Sequence, residues 1–215
     1  MDKKRATSII IQAANLYHNN LEDKKVLFVY SVPADINKQI SDGCKKICGM
    51  SFYETAFHRS NFLHLTGVKV NSESIDSSIN FYQKCIDGRL SDNDYELSKD
   101  GSTEQKLSVL ADMMRIRNTA AMIGEFTDYG PRLYTEKVAG NVFACIGFVK
   151  DKYTGYNVPN TLLKKDIRDV SSKPQNKIYA ILSKEYNQDK YSVIDKGDKR
   201  IDLLMIEGIE EYYTH

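Results

Sequence analysis

The residues best equipped for chemistry lie between His58 and Gly67, in the run HRSNFLHLTG. Two imidazoles, a guanidinium and two hydroxyls meet there within a short stretch. Histidine titrates near neutrality, so it is the side chain best matched to moving protons at physiological pH. Arginine and lysine neutralise charge on a phosphate, and hydroxyls orient it. Those residue types suit metal-independent cleavage of RNA. RNA carries its own nucleophile, the 2′-hydroxyl. Its cleavage needs a base for that proton, an acid for the departing 5′-oxygen and cations for the crowded phosphate. His64 is the candidate acid or base. Lys106, Arg59 and Arg168 are candidates for holding the phosphate, and Thr161, Thr66 and Tyr191 for orienting it. Of these, Arg59 and Thr66 read as substrate-binding and the other five as catalytic. His18, in the first helix, and His215, the last residue, read as bystanders.

Each candidate also has a plainer explanation. A histidine in an FLHL context is often a core residue with one satisfied hydrogen bond. Lysine on a helix, as at Lys106, usually belongs to a solvated face. Arg168 can simply pair with Asp166 or Asp169 and add little. Thr161, after Asn160, can cap a helix. Tyrosine stacks on bases, but it fills sheets more often, and the chain has 14 of them with no tryptophan.

Hydrophobic periodicity predicts the elements that must position these groups. Residues 5–23 read as a helix with Ile9, Ala13, Leu16 and Leu21 on one face. VLFVY, residues 26–30, reads as a buried strand. Residues 34–48 begin as a helix, and 60–70 read as a strand or strand-like turn ending near Gly67. Helices are predicted over 74–87, with Ile75, Ile79, Tyr82 and Ile86 at helical spacing, and over 103–117, with Leu107, Leu110, Met113 and Met114 as the stripe. Four strand-like runs follow: AAMIGEF, NVFACIGFV, KIYAILSKEY and KYSVID. Between the second and third, VPNTLLKKDIRDV reads as a short helix or turn, and the last run, IDLLMI, as a strand or a docking tail. Helices first and strands afterwards argue for an α+β fold, N-terminal helices packed on a mainly antiparallel sheet.

Composition narrows the function classes. The chain has 215 residues, 41% hydrophobic, which suits one packed domain. The net charge is +1, from 30 basic and 29 acidic residues, so nucleic-acid binding must come from a local patch. The N-terminal charges precede an apolar run that Gln12 and Asn15 interrupt, so it reads as an amphipathic helix and not a signal peptide. No run reaches the roughly twenty apolar residues of a membrane span, and a cytoplasmic protein is expected. The cysteines, 4 in number, are too few for a disulfide scaffold and read as free thiols. Phosphate-loop, dinucleotide, HExxH and GxSxG signatures are absent, and Leu97 stands where a calcium loop needs glycine. No metal and no cofactor is expected.

The order of blocks NFLHLTGV, NFYQKCIDGRL, STEQKLSVLADMM, CIGFVKD, VPNTLLKKDIRD and IYAILSKEYNQDKYSVI resembles a phage-associated nuclease family named together with barnase, EndoU, colicin-type tRNases and RelE. The likeness covers roughly 45–195, and F-x-H-L-T-G and VPNTLLK are its most specific parts. It implies helices packed on a small antiparallel sheet, metal-independent cleavage of tRNA, mRNA or rRNA, and a toxin or host-interference role in a phage, prophage or mobile element. An antitoxin or immunity protein would be the partner. His64 and Thr66 carry over as motif positions, while Lys106, Thr161, Arg168 and Tyr191 fall in the other blocks. The expected organisation is a helix-and-strand extension over 1–44 and a nuclease-like domain over 45–215, forming one compact unit. The alternative is a non-catalytic phage inhibitor on a degenerate nuclease scaffold.

Overall fold

The structure is a computed structural model that describes residues 1–127 and 134–214; His215 lies outside the described residues. In chain order it contains α1 (Lys3–Asn20), β1 (Lys24–Ser31), α2 (Pro33–Ser41), β2 (Ser51–Phe57), α3 (Phe62–Thr66), β3 (Lys69–Val70), α4 (Ser78–Ile86) and β4 (Tyr95–Glu96). There follow α5 (Ser102–Met113), α6 (Ile116–Thr119), β5 (Met122–Glu125), β6 (Lys137–Gly140), β7 (Cys145–Lys150), β8 (Asn157–Leu163), α7 (Ile167–Val170), β9 (Asn176–Glu185) and β10 (Val193–Gly197).

The sheet closes on itself. Its order is β1-β2-β8-β7-β6-β5-β9, and β9 pairs back to β1, which makes a seven-stranded barrel. This corrects the expectation of a simple antiparallel sheet. Closure pairs the edges of most of these strands, and the β2–β8 seam is the most thinly joined. β9 gives one edge to β1 and shares the other between β5 and β10. The pairings are antiparallel except at β2–β8, where a single parallel pair, Thr55 with Asn157, makes the seam. Asn157 Nδ2 also reaches the Glu54 carbonyl across it, at 2.8 Å.

Side-chain alternation sorts the strands into two faces. Val26, Phe28 and Tyr30 of β1 join the main core with Ile146, Phe148, Leu162, Ile178 and Ile181. Leu27 and Val29 point the other way, onto Ile36, Tyr179, Tyr191 and the C-terminal Ile206 and Ile209. The IDLLMI run is therefore a docking tail with only an isolated bridge, Ile206 to Ile47.

Helix α1 starts where the Asp2 carboxylate accepts the Arg5 amide at 2.8 Å. Its buried face is Ala6, Ile10, Ala13, Ala14 and Tyr17, one position round from the predicted face. In α4 the buried residues are Phe81, Tyr82 and Cys85, and Ile79 faces water. α5 buries the predicted Leu107, Leu110 and Met113 but stops sooner, at Met113, before the short α6. Tyr17 ties these helices together. Its ring meets Phe57, Phe62 and Tyr82 edge to face, and its hydroxyl donates to the His58 carbonyl at 2.8 Å.

Two further expectations are corrected. Most of residues 60–70 is helical, because the Asn61 side chain accepts the His58 amide at 2.9 Å and turns the chain into α3, which Gly67 ends at φ 71°; only Lys69–Val70 are extended, as the short β3. VPNTLL belongs to strand β8, with only 167–170 helical. Pro159 has no N–H for a ladder and sits at the register shift beside Phe148, a tolerated place for proline. The four cysteines are free, and Cys44 and Cys48 lie beyond the end of α2.

Candidate functional site

The short helix α3 places His64 by anchoring the other side of its single turn. Phe62 and Leu65, three apart, are fully buried in the aromatic core. His64, about two hundred degrees round from Phe62 at helical spacing, is exposed. It is not the satisfied core histidine of the plainer explanation.

Helix α5 brings Lys106 to the same place. Thr103, Leu107 and Leu110 bury one stripe of that helix, leaving Lys106 half-buried at its margin. Lys106 Nζ donates to Thr161 Oγ1 at 3.1 Å. Thr161 is fully buried on β8, opposite Gly147 of β7. A Cβ at Gly67 would stand 2.6 Å from Lys106 Cδ, so the lysine stem runs across this glycine. Gly67 is thus required twice, for its left-handed backbone and for the room it leaves. Thr103 locks the arrangement by donating to the Gly67 carbonyl at 2.8 Å while accepting the Ser98 amide at 3.0 Å.

His64, Ser60 and Asn61 form one wall of an open pocket of about 330 Å³, with Val158 and Asn160 of β8 opposite. Partial withdrawal from water, and then the Lys106 charge, hold the His64 imidazole below its ordinary value of 6.5. Burial also lowers Lys106 from 10.5. The shift favours the neutral imidazole at His64, and burial makes the neighbouring Lys106 readier to give up its proton. Together they can take a proton, give a proton and neutralise an anion.

The other candidates lie elsewhere or are already engaged. Thr66 is fully buried and donates to the Leu63 carbonyl at 2.7 Å, closing its own helical turn. Arg59 pairs through Nε with the buried carboxylate of Glu22, which also accepts from His18 and from the Tyr82 hydroxyl. These partners outweigh the burial of Glu22 and lower its pKa. Arg168 forks onto Asp166, as the plainer explanation had it, on α7 beside β6. Tyr191 is fully buried on the other face of β1 and β9, where its hydroxyl donates to Glu54 at 2.7 Å. Lys184 lies 3.5 Å from the same carboxylate. Tyr191→Phe is expected to cost about 1.5–3 kcal/mol of stability, read by denaturant unfolding.

Several pocket residues escape a sequence reading. Asn160 is held on both sides, accepting from Thr135 Oγ1 and donating to the Tyr134 carbonyl, each at 3.2 Å. Only its place beside Thr161 in VPNTLL signals it. Ser60 and Asn61 sit inside the HRSNFLHLTG run but lack a titrating group. Among the described residues, no group of three or more His, Cys, Asp or Glu side chains is placed to hold a metal ion. Among them, too, no helix is long and apolar enough to cross a membrane.

A family model described as phage-Barnase-EndoU-ColicinE5/D-RelE like nuclease4 matches residues 9–200. The match begins well before the blocks that carry the resemblance and takes in most of α1 and all of β1. No curated protein and no solved structure is significantly similar to the chain.

Proposed function

The chain belongs to the phage-Barnase-EndoU-ColicinE5/D-RelE like nuclease4 family, and from that premise we propose that it is an endoribonuclease that cuts RNA through the 2′-hydroxyl without a metal ion. The supporting observation is the Lys106 ammonium resting on Thr161, close enough to His64 to depress its imidazole, beside an open pocket.

Neutral His64 takes the proton of the 2′-hydroxyl. The 2′-oxygen bonds to phosphorus, and the bond from phosphorus to the 5′-oxygen breaks. Lys106 stabilises the charge on the crowded phosphate and gives a proton to the departing oxygen. The products are a 2′,3′-cyclic phosphate and a free 5′-hydroxyl. His64 is left as imidazolium and Lys106 as amine, and both return to their starting states by exchange with water. Thr161 positions Lys106 and touches no reacting atom.

The RNA is a tRNA, mRNA or rRNA of the host. The protein acts in the cytoplasm as a toxin or host-interference factor of a phage or mobile element. An antitoxin or immunity protein covering the pocket is its expected partner. Purified protein is expected to cut RNA in EDTA and leave 2′,3′-cyclic ends. Fragments with 5′-phosphate ends would contradict the mechanism.

Gly67→Ala is expected to slow cleavage by about 10²-fold, since a small displacement of a catalytic group has effects of that order. The left-handed backbone adds about 1–2 kcal/mol of destabilisation. Single-turnover rates and thermal melting read the two effects separately.

A further inference from the structure

Two tyrosines at the rim of the pocket have no role so far. Tyr153 is 99% exposed and Tyr134 is 88% exposed. Lone exposed aromatic residues are ordinary. These two share one rim. Tyr153 lines the pocket with His64 and Asn160, and the Tyr134 carbonyl accepts from that same Asn160.

The backbone beneath Tyr153 is fixed although its ring is free. It sits in the hairpin between β7 and β8, where the Asp151 amide donates to the Tyr156 carbonyl at 2.8 Å and the Gly155 amide to the Asp151 carbonyl at 2.9 Å. The Asp151 carboxylate accepts the amides of Tyr153 and Thr154 at 2.7 and 3.2 Å. That carboxylate is therefore tied into the turn, which limits its repulsion of an incoming phosphate. Lys152, next to Tyr153, is exposed and has no acidic partner among the described residues.

We propose that this rim is a base-stacking subsite, with Tyr153 as its main platform and Tyr134 as a second, and that the substrate is RNA in single-stranded form. The proposal rests on the endoribonuclease reading above. An aromatic ring held in water on a rigid turn offers a flat face at little ordering cost. Every base has a matching face, but only an unpaired base exposes it. Lys152 supplies the backbone charge contact beside it. In-line attack by the 2′-hydroxyl also favours a linkage free of helical constraint.

The chain has no tryptophan, so Tyr153→Trp creates a single fluorescent reporter at the rim. It is to be titrated with a 2′-O-methyl oligonucleotide, which cannot be cleaved, as a single strand and as a duplex. Saturable quenching by the single strand, at least tenfold tighter than by the duplex, is the expected result. Equal response to both, or none to either, would overturn the proposal. In parallel, Tyr153→Ala should raise KM on single-stranded RNA by about tenfold, Tyr153→Phe should not, and kcat should change little. Wild-type kinetics in Tyr153→Ala would also overturn it. If the wild type cuts no RNA, the nuclease reading fails, and the tryptophan titration still decides the stacking subsite on its own.

Discussion

Lys106→Met is expected to slow RNA cleavage by about 10²–10³-fold, the usual effect of removing one preorganised charge donor from a transition state. Methionine keeps most of the apolar stem that crosses Gly67 and removes the ammonium. Half-burial already lowers the pKa of this lysine, so loss of its charge should not unfold the protein. Melting within a few degrees of wild type would confirm that point. Lys106→Arg should not restore activity. A planar guanidinium is larger than an ammonium and cannot reproduce its single contact on Thr161 in the space beside Gly67. Full activity in Lys106→Met would exclude the lysine from catalysis.

His64→Ala is expected to lower the rate by about 10²–10⁴-fold, the contribution of a positioned general base. The pH profile makes the assignment specific. The base must be neutral, so the wild-type rate should rise with pH through a value below the ordinary imidazole 6.5. Lys106 must be protonated, so the rate should fall again through a value below 10.5. In His64→Ala the acid limb should vanish. Added imidazole should restore part of the rate, because the side chain is exposed and leaves an accessible gap. An acid limb that persists unchanged in the variant would assign the base to another group.

Much of the fold can be read in local patterns, and the failures have physical causes. VLFVY reads as buried because β1 is covered on both faces, and the α5 stripe lies where its spacing puts it. FLHLT misleads because its aromatic and aliphatic residues suit a strand, while the turn set by Asn61 and Gly67 makes it a helix. VPNTLL misleads through Pro159, which looks like a helix start and instead marks a strand irregularity. Barrel closure depends on long-range pairing of β1 with β9, which no local pattern announces. In the site, His64, Lys106 and Thr161 can be singled out by chemical type and come together. Arg168 and Tyr191 have equally suitable chemistry, but their carboxylate partners hold them elsewhere. Residue type alone does not distinguish a free cation from a paired one. Asn160 lines the pocket and is held there by Thr135, a placement that only the folded chain defines.

The most direct measurement incubates wild type, His64→Ala and Lys106→Met with total RNA in EDTA and identifies the fragment ends. The account predicts 2′,3′-cyclic phosphates from the wild type and almost no fragments from either folded variant. Intact RNA with all three proteins would contradict it and favour a binding protein built on the same scaffold; undiminished cleavage by both variants would contradict the site.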